Sequence, residues 1–83
     1  MGEETLFVKI QSRDRTFFEG TVKALSSVNE KGNFDILSQH ENFISLVRDF
    51  LIIRQEGGEE REIKIEGGVL EVSRNRVQVF LGF

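Results

Sequence analysis

The chain has 83 residues, 39% apolar and 30% charged, which fits one small globular domain and is too apolar for disorder. Eleven basic residues against fourteen acidic ones leave a net charge of −3, which argues against nucleic acid or an anionic membrane surface as the main ligand. Cysteine is absent, which excludes disulfides, thiolate metal sites and a cysteine nucleophile.

The first residues, Met1-Gly2-Glu3-Glu4, are acidic and carry no apolar run, so no signal peptide is predicted. Leu6, Val8 and Ile10 alternate with Phe7, Lys9 and Gln11, which is a strand with one apolar face. Ser12-Arg13-Asp14-Arg15 reads as a turn, and Thr16-Phe17-Phe18-Glu19 as a β-prone run ending at Gly20. Residues 21–28 form a further strand, in which Val22, Ala24 and Val28 interleave with Lys23, Leu25 and Ser27. Asn29-Glu30-Lys31-Gly32 is a turn, followed by a short strand at residues 34–37.

Residues 42–55 read two ways. Phe43, Leu46, Val47, Phe50 and Leu51 fall on a helical stripe, which Ile44, Ile52 and Ile53 break. The alternative is two strands joined by a tight turn at Val47-Arg48-Asp49-Phe50. Gly57-Gly58 reads as a hairpin tip between apolar runs. Residues 61–66 and 69–72 read as separate strands around Gly67-Gly68. Ser73-Arg74-Asn75-Arg76 is a turn before a last strand carrying Val77, Val79 and Leu81. The sum is one domain over residues 1–83, all-β, a sandwich or small barrel.

Little in the sequence suggests chemistry. Asp35, Ser38 and His40 are the residue types of an acyl-transfer triad, but strand alternation puts Asp35 on the face opposite Ser38 and His40. His40 with Glu41 and Asp35 is a weak metal set, and a hydrogen-bonded loop histidine is the simpler reading. No phosphate loop follows either glycine pair, so no cofactor is expected. Arg13, Arg15, Arg74 and Arg76 read as a solvated rim or one meeting an acidic partner. A free-standing β-sandwich binding a small ligand or a glycan is the competing class, but the chain lacks Trp and Tyr for an aromatic platform.

Three strings in order carry a resemblance. They are Phe18-Glu19-Gly20-Thr21-Val22, then Gly32-Asn33-Phe34-Asp35-Ile36-Leu37-Ser38-Gln39-His40-Glu41-Asn42-Phe43-Ile44, then Gly67-Gly68-Val69-Leu70-Glu71-Val72 with Asn75-Arg76-Val77-Gln78-Val79. Together they resemble the N-terminal β-sandwich of the F-type ATP synthase epsilon subunit, called delta in mitochondria. Ser38 stands where the family carries proline. Asp35 replaces a common glycine, and Val47-Arg48-Asp49-Phe50 replaces a later glycine turn.

The resemblance implies a ten-stranded β-sandwich of two five-stranded sheets, with residues 42–55 as two strands. It implies a non-catalytic rotor subunit that binds the gamma subunit and the c-ring loops, with no nucleic acid and no membrane insertion. Its place is the cytoplasmic face of the bacterial plasma membrane, peripheral, within the ATP synthase. Asn33, Gln39, His40 and Glu41 match the positions expected at the partner-binding loops. Phe34, Ile36, Phe43, Val69, Leu70 and Val72 match core positions. Phe80 and Phe83 are expected on an apolar patch facing the gamma subunit or a helical hairpin. Family members carry that C-terminal hairpin, which inhibits ATP hydrolysis in many bacteria and binds ATP in some. The sequence ends at Phe83 without it, so neither capacity is carried over.

Overall fold

The structure is a computed structural model and describes residues 4–82. Seven strands follow one another: β1 (Leu6–Gln11), β2 (Thr16–Val22), β3 (Ala24–Asn29), β4 (Gly32–Leu37), β5 (Phe43–Arg54), β6 (Glu60–Ser73) and β7 (Arg76–Leu81). They form one hydrogen-bonded ladder in the order β2-β1-β7-β6-β5-β3-β4. All neighbours are antiparallel except β1 and β7, which run parallel. Phe83, expected on an apolar patch, lies outside the described residues.

The ladder covers itself. Val8 and Ile10 near one end and Leu25 and Ile36 near the other are all 0% exposed. No helix is present among the described residues to cover them. One buried cluster joins Leu6, Val8 and Ile10 of β1, Val77 and Val79 of β7, and Leu70 and Val72 of β6 to Leu51 and Ile53 of β5, Leu25 of β3 and Ile36 of β4. The shortest dimension is 19 Å, the thickness of two layers packed about 10 Å apart with their side chains.

Two long strands make the crossing. β7 pairs only with residues 68–73 of β6, and β3 only with residues 48–54 of β5. Five strand segments therefore lie on one side: β2, β1, β7, the end of β6 and the start of β5. The other four are the start of β6, the end of β5, β3 and β4. The bend sits where Val47 pairs with Gly68 but Asp49 pairs with Ile65, so Glu66 and Gly67 together oppose Arg48. That is a β-bulge, and it flips which residues of β6 face inward. Ile63 and Ile65 are half-buried before it, whereas Gly68, Leu70 and Val72 are buried after it. Asp49 adds a left-handed residue at φ 74°. Gly68 is required by close approach, since a Cβ there would lie 2.8 Å from the Phe80 carbonyl oxygen.

The expected ten strands in two five-stranded sheets are replaced by seven strands in one folded ladder. Residues 43–54 are neither a helix nor two strands with a turn but one strand with a kink. Residues 61–66 and 69–72 likewise belong to one strand, because Glu66 and Gly67 make a bulge and not a break. Ser27 mends the ladder at the β5 kink. There, residues 49–51 of β5 oppose this one residue of β3, and its buried hydroxyl donates 2.7 Å to the Phe50 carbonyl.

Tight turns set the register. The β3–β4 turn closes with Lys31 N–H donating to Asn29 Oδ1 at 2.8 Å and with Gly32 at φ 117°. In the β6–β7 turn Arg74 and Asn75 are both left-handed, φ 54° and 63°, which matches the hairpin twist.

Candidate interaction surface

The four residues expected at a partner interface do not form one cluster. Asn33 is exposed on β4, paired in register with Val28 beside the β3–β4 turn. Gln39, His40 and Glu41 sit together in the loop that follows β4. That loop is built, not loose. His40 N–H donates to the Leu37 carbonyl at 3.2 Å, with Gln39 left-handed at φ 64°. His40 Nδ1 lies 2.8 Å from the Glu41 carbonyl. A carbonyl only accepts, so Nδ1 carries a proton. The His40 ring packs edge-on against Phe43 at 5.6 Å, and Phe43 packs edge-on against Phe34 at 5.6 Å.

Asn75 ties the loop to the rest of the sandwich. Its Oδ1 accepts from Gln39 N–H at 2.8 Å, and its Nδ2 donates 2.8 Å to the Thr5 carbonyl. Its own carbonyl accepts from Phe7 N–H at 3.2 Å. One side chain in a turn thus holds the loop and the entry to β1. Asn75→Ala loses both side-chain bonds and leaves alanine in a left-handed conformation, an expected cost of about 2–3 kcal/mol. Thermal melting measures the loss, and amide exchange should quicken at Gln39. Parent-like exchange at Gln39 would show that Asn75 does not hold the loop.

The triad geometry is not assembled. Asp35 accepts from the Ser26 hydroxyl, and His40 Nδ1 is bound to main chain and not to a carboxylate. No group of three or more potential metal ligands occurs among the described residues. No helix of the described residues is long and apolar enough to cross a membrane.

Arginines cover some half-buried rings. Arg15 stacks over Phe17 at 4.4 Å and Arg76 over Phe7 at 4.5 Å. Two of the four basic residues read as a rim are therefore engaged with aromatic faces. A different part of the outer face has no such cover. Ile44 is 70% exposed, Leu46 72% and Phe80 43%. Leu46 pairs with Val69, and Val69 pairs with Phe80, so three strands carry one apolar row.

Val69, expected in the core, lies half-buried in that row, because alternation turns it away from buried Leu70. Ile36, Leu70 and Val72 are buried as expected, and Phe34 and Phe43 pack half-buried against the core. Beside the row lies a cavity of about 470 Å³, lined by Lys31 of the β3–β4 turn and by Phe43, Ile44, Leu46 and Arg48 of β5. Asn29 Nδ2 donates 3.0 Å to Ser45 Oγ across its floor. Sequence reasoning missed Ile44 and Leu46. The available signal was that residues 43–47 are apolar on both strand faces.

Fold and surface together define a β-sandwich domain with an uncovered apolar strip on one outer face. The chain belongs to the family "ATP synthase, Delta/Epsilon chain, beta-sandwich domain", whose model matches residues 5–81. It is 38% identical over 77 residues to an ATP synthase epsilon chain of Bordetella petrii, covering 90% of this chain and 54% of that protein. It is 31% identical over 74 residues to one of Nitratiruptor, covering 88% and 57%. The chain thus spans just over half the length of these relatives. A chain of the Euglena gracilis mitochondrial ATP synthase, in a structure holding OSCP, F1 and c-ring, superposes with TM-score 0.85 at 19% identity, over 98% of this chain and 52% of that one. A chain of the Tetrahymena thermophila central stalk and c-ring gives 0.77 at 10% identity, over 100% and 67%.

Proposed function

We propose that this domain is a non-catalytic part of the central stalk of an F-type ATP synthase. It holds the gamma subunit and the c-ring loops, so that torque passes between proton flow and ATP chemistry. Its place is peripheral, on the cytoplasmic face of a bacterial plasma membrane. The family membership and the names of its relatives support this reading. The single observation that carries it is the strip of Ile44, Leu46, Val69 and Phe80, an apolar face that water does not favour and a protein partner covers. Asn33, Gln39, His40 and Glu41 are assigned to the polar rim of the stalk contacts.

Leu46→Asp tests the assignment. The side chain is already in water, so folding is expected to survive with a parent-like melt. A charge buried in the interface is expected to weaken capture by a stalk assembly lacking its own epsilon chain by about 30-fold or more. Undiminished capture by a folded Leu46→Asp chain would remove the strip from the interface.

A further inference from the structure

A second surface lies on the other layer, away from the apolar strip. β5 and β6 pair over residues 60–65, but β7 joins β6 only from Gly68 onward. Among the described residues, no strand pairs with the far side of residues 60–66. The outward main-chain groups are identifiable. Gln55 N–H donates to the Glu59 carbonyl, so that pair is hydrogen-bonded. The carbonyls of Arg54 and Phe50 point instead toward β3 and the residue before it, where Ser27 Oγ and Lys23 N–H donate to them. Antiparallel ladders alternate. Glu60, opposite Arg54, and Lys64, opposite Phe50, therefore turn their N–H and C=O groups outward, as does Glu62 between them.

A cavity of about 220 Å³ adjoins this edge, lined by Phe17 of β2, Ile63 and Ile65 of β6 and Leu81 of β7. The opposite face of the edge strand carries exposed Glu60, Glu62, Lys64 and Glu66. Residues 59–66 include four glutamates against Arg61 and Lys64. Arg61 is drawn over the Phe18 ring at 5.8 Å.

The geometry points to a strand-addition site for an extended basic segment of a partner protein. The segment's main chain bonds to Glu60, Glu62 and Lys64. Its apolar side chains, at alternate positions, enter the cavity beside Ile63 and Ile65. Its lysines or arginines, at the intervening positions, stand beside Glu62 and Glu66. A second copy of this chain is the poorer occupant, because each antiparallel self-pairing of the edge leaves a glutamate against a glutamate, such as Glu62 against itself or Glu60 against Glu66, where a basic segment leaves none. The site does not depend on the stalk assignment.

The test uses the isotopically labelled chain and an eight-residue peptide alternating Lys and Val, with a Glu and Val counterpart. The basic peptide is expected to give saturable amide shifts confined to residues around Phe17, residues 60–67 and Leu81. Exchange should slow at Glu60, Glu62 and Lys64, and binding should weaken with salt. Lys64→Pro removes one outward N–H and leaves the β5 ladder intact, so binding should be lost without loss of fold. The double change Glu62→Lys and Glu66→Lys decides independently if Lys64→Pro fails to fold. It should weaken the basic peptide about tenfold or more and admit the acidic one. No saturable shift, shifts centred on Ile44 and Leu46, or parent-like binding by a folded Lys64→Pro chain would each overturn the proposal.

Discussion

Leu51→Ala is expected to destabilise the domain by about 2–5 kcal/mol, the range for a buried leucine truncated in a core that only partly collapses. Leu51 is 0% exposed and sits in the half of β5 that has crossed to the second layer. Its side chain belongs to the cluster that joins Leu25 and Ile36 to Val8 and Ile10. A domain of this size is stable by about 4–12 kcal/mol in total. The truncation therefore removes a large share of stability, with a fall in melting temperature of about 4–8 °C per kcal/mol. Val79→Ala tests the facing layer and should cost about 2 kcal/mol or more, since Val79 is also 0% exposed. Ile65→Ala should cost less, because Ile65 is only half-buried at the bulge. Equal melts for parent and Leu51→Ala would mean that the two layers do not share a core.

Gly68→Val is expected to cost about 3 kcal/mol, the upper end of overpacking. Valine is a good strand residue, so propensity does not explain a loss. The obstacle is fixed backbone, the Phe80 carbonyl oxygen 2.8 Å from any Cβ, with Leu81 Cδ2 at 2.9 Å. A side chain there pushes β7 off β6 just after the bulge. Gly57 provides the contrast. A Cβ there meets nothing within 4 Å, so Gly57→Ala should be neutral or stabilise by about 0.4–1 kcal/mol. Melting of the two variants side by side separates a steric demand from a general glycine effect. A parent-like melt for Gly68→Val would remove the close approach of β7 as the reason for glycine.

Much of the fold was legible because most strands have one apolar face. The alternation of Leu6, Val8 and Ile10 identifies β1, and Val77 and Val79 identify β7, with the inward residues all buried. Turns were legible where the residue type carries the conformation, as at Gly32 and Asn75. Residues 43–54 were not, because a strand apolar on both faces imitates a helical stripe. Val47 and Leu51 of that stripe are buried, Phe43 and Phe50 half-buried, and Leu46 points to solvent.

The strand count was not legible either. A bulge at Glu66-Gly67 shifts the apolar parity as the start of a new strand would. At the candidate site, the His40 loop was marked only by resemblance, since its order comes from Asn75, far away in sequence. The arginines of the turns looked like rim charges because nothing local shows that Arg15 and Arg76 lie on Phe17 and Phe7.

The most direct test of the stalk assignment is titration calorimetry of this chain against the gamma subunit from the same genome, with the folded Leu46→Asp chain alongside. A stalk role predicts saturable one-to-one binding by the parent chain, with a negative heat-capacity change from burial of the Ile44, Leu46, Val69 and Phe80 strip, and binding weakened about 30-fold or more in the variant. No heat of binding for the parent, or equal affinity for parent and variant, would contradict it.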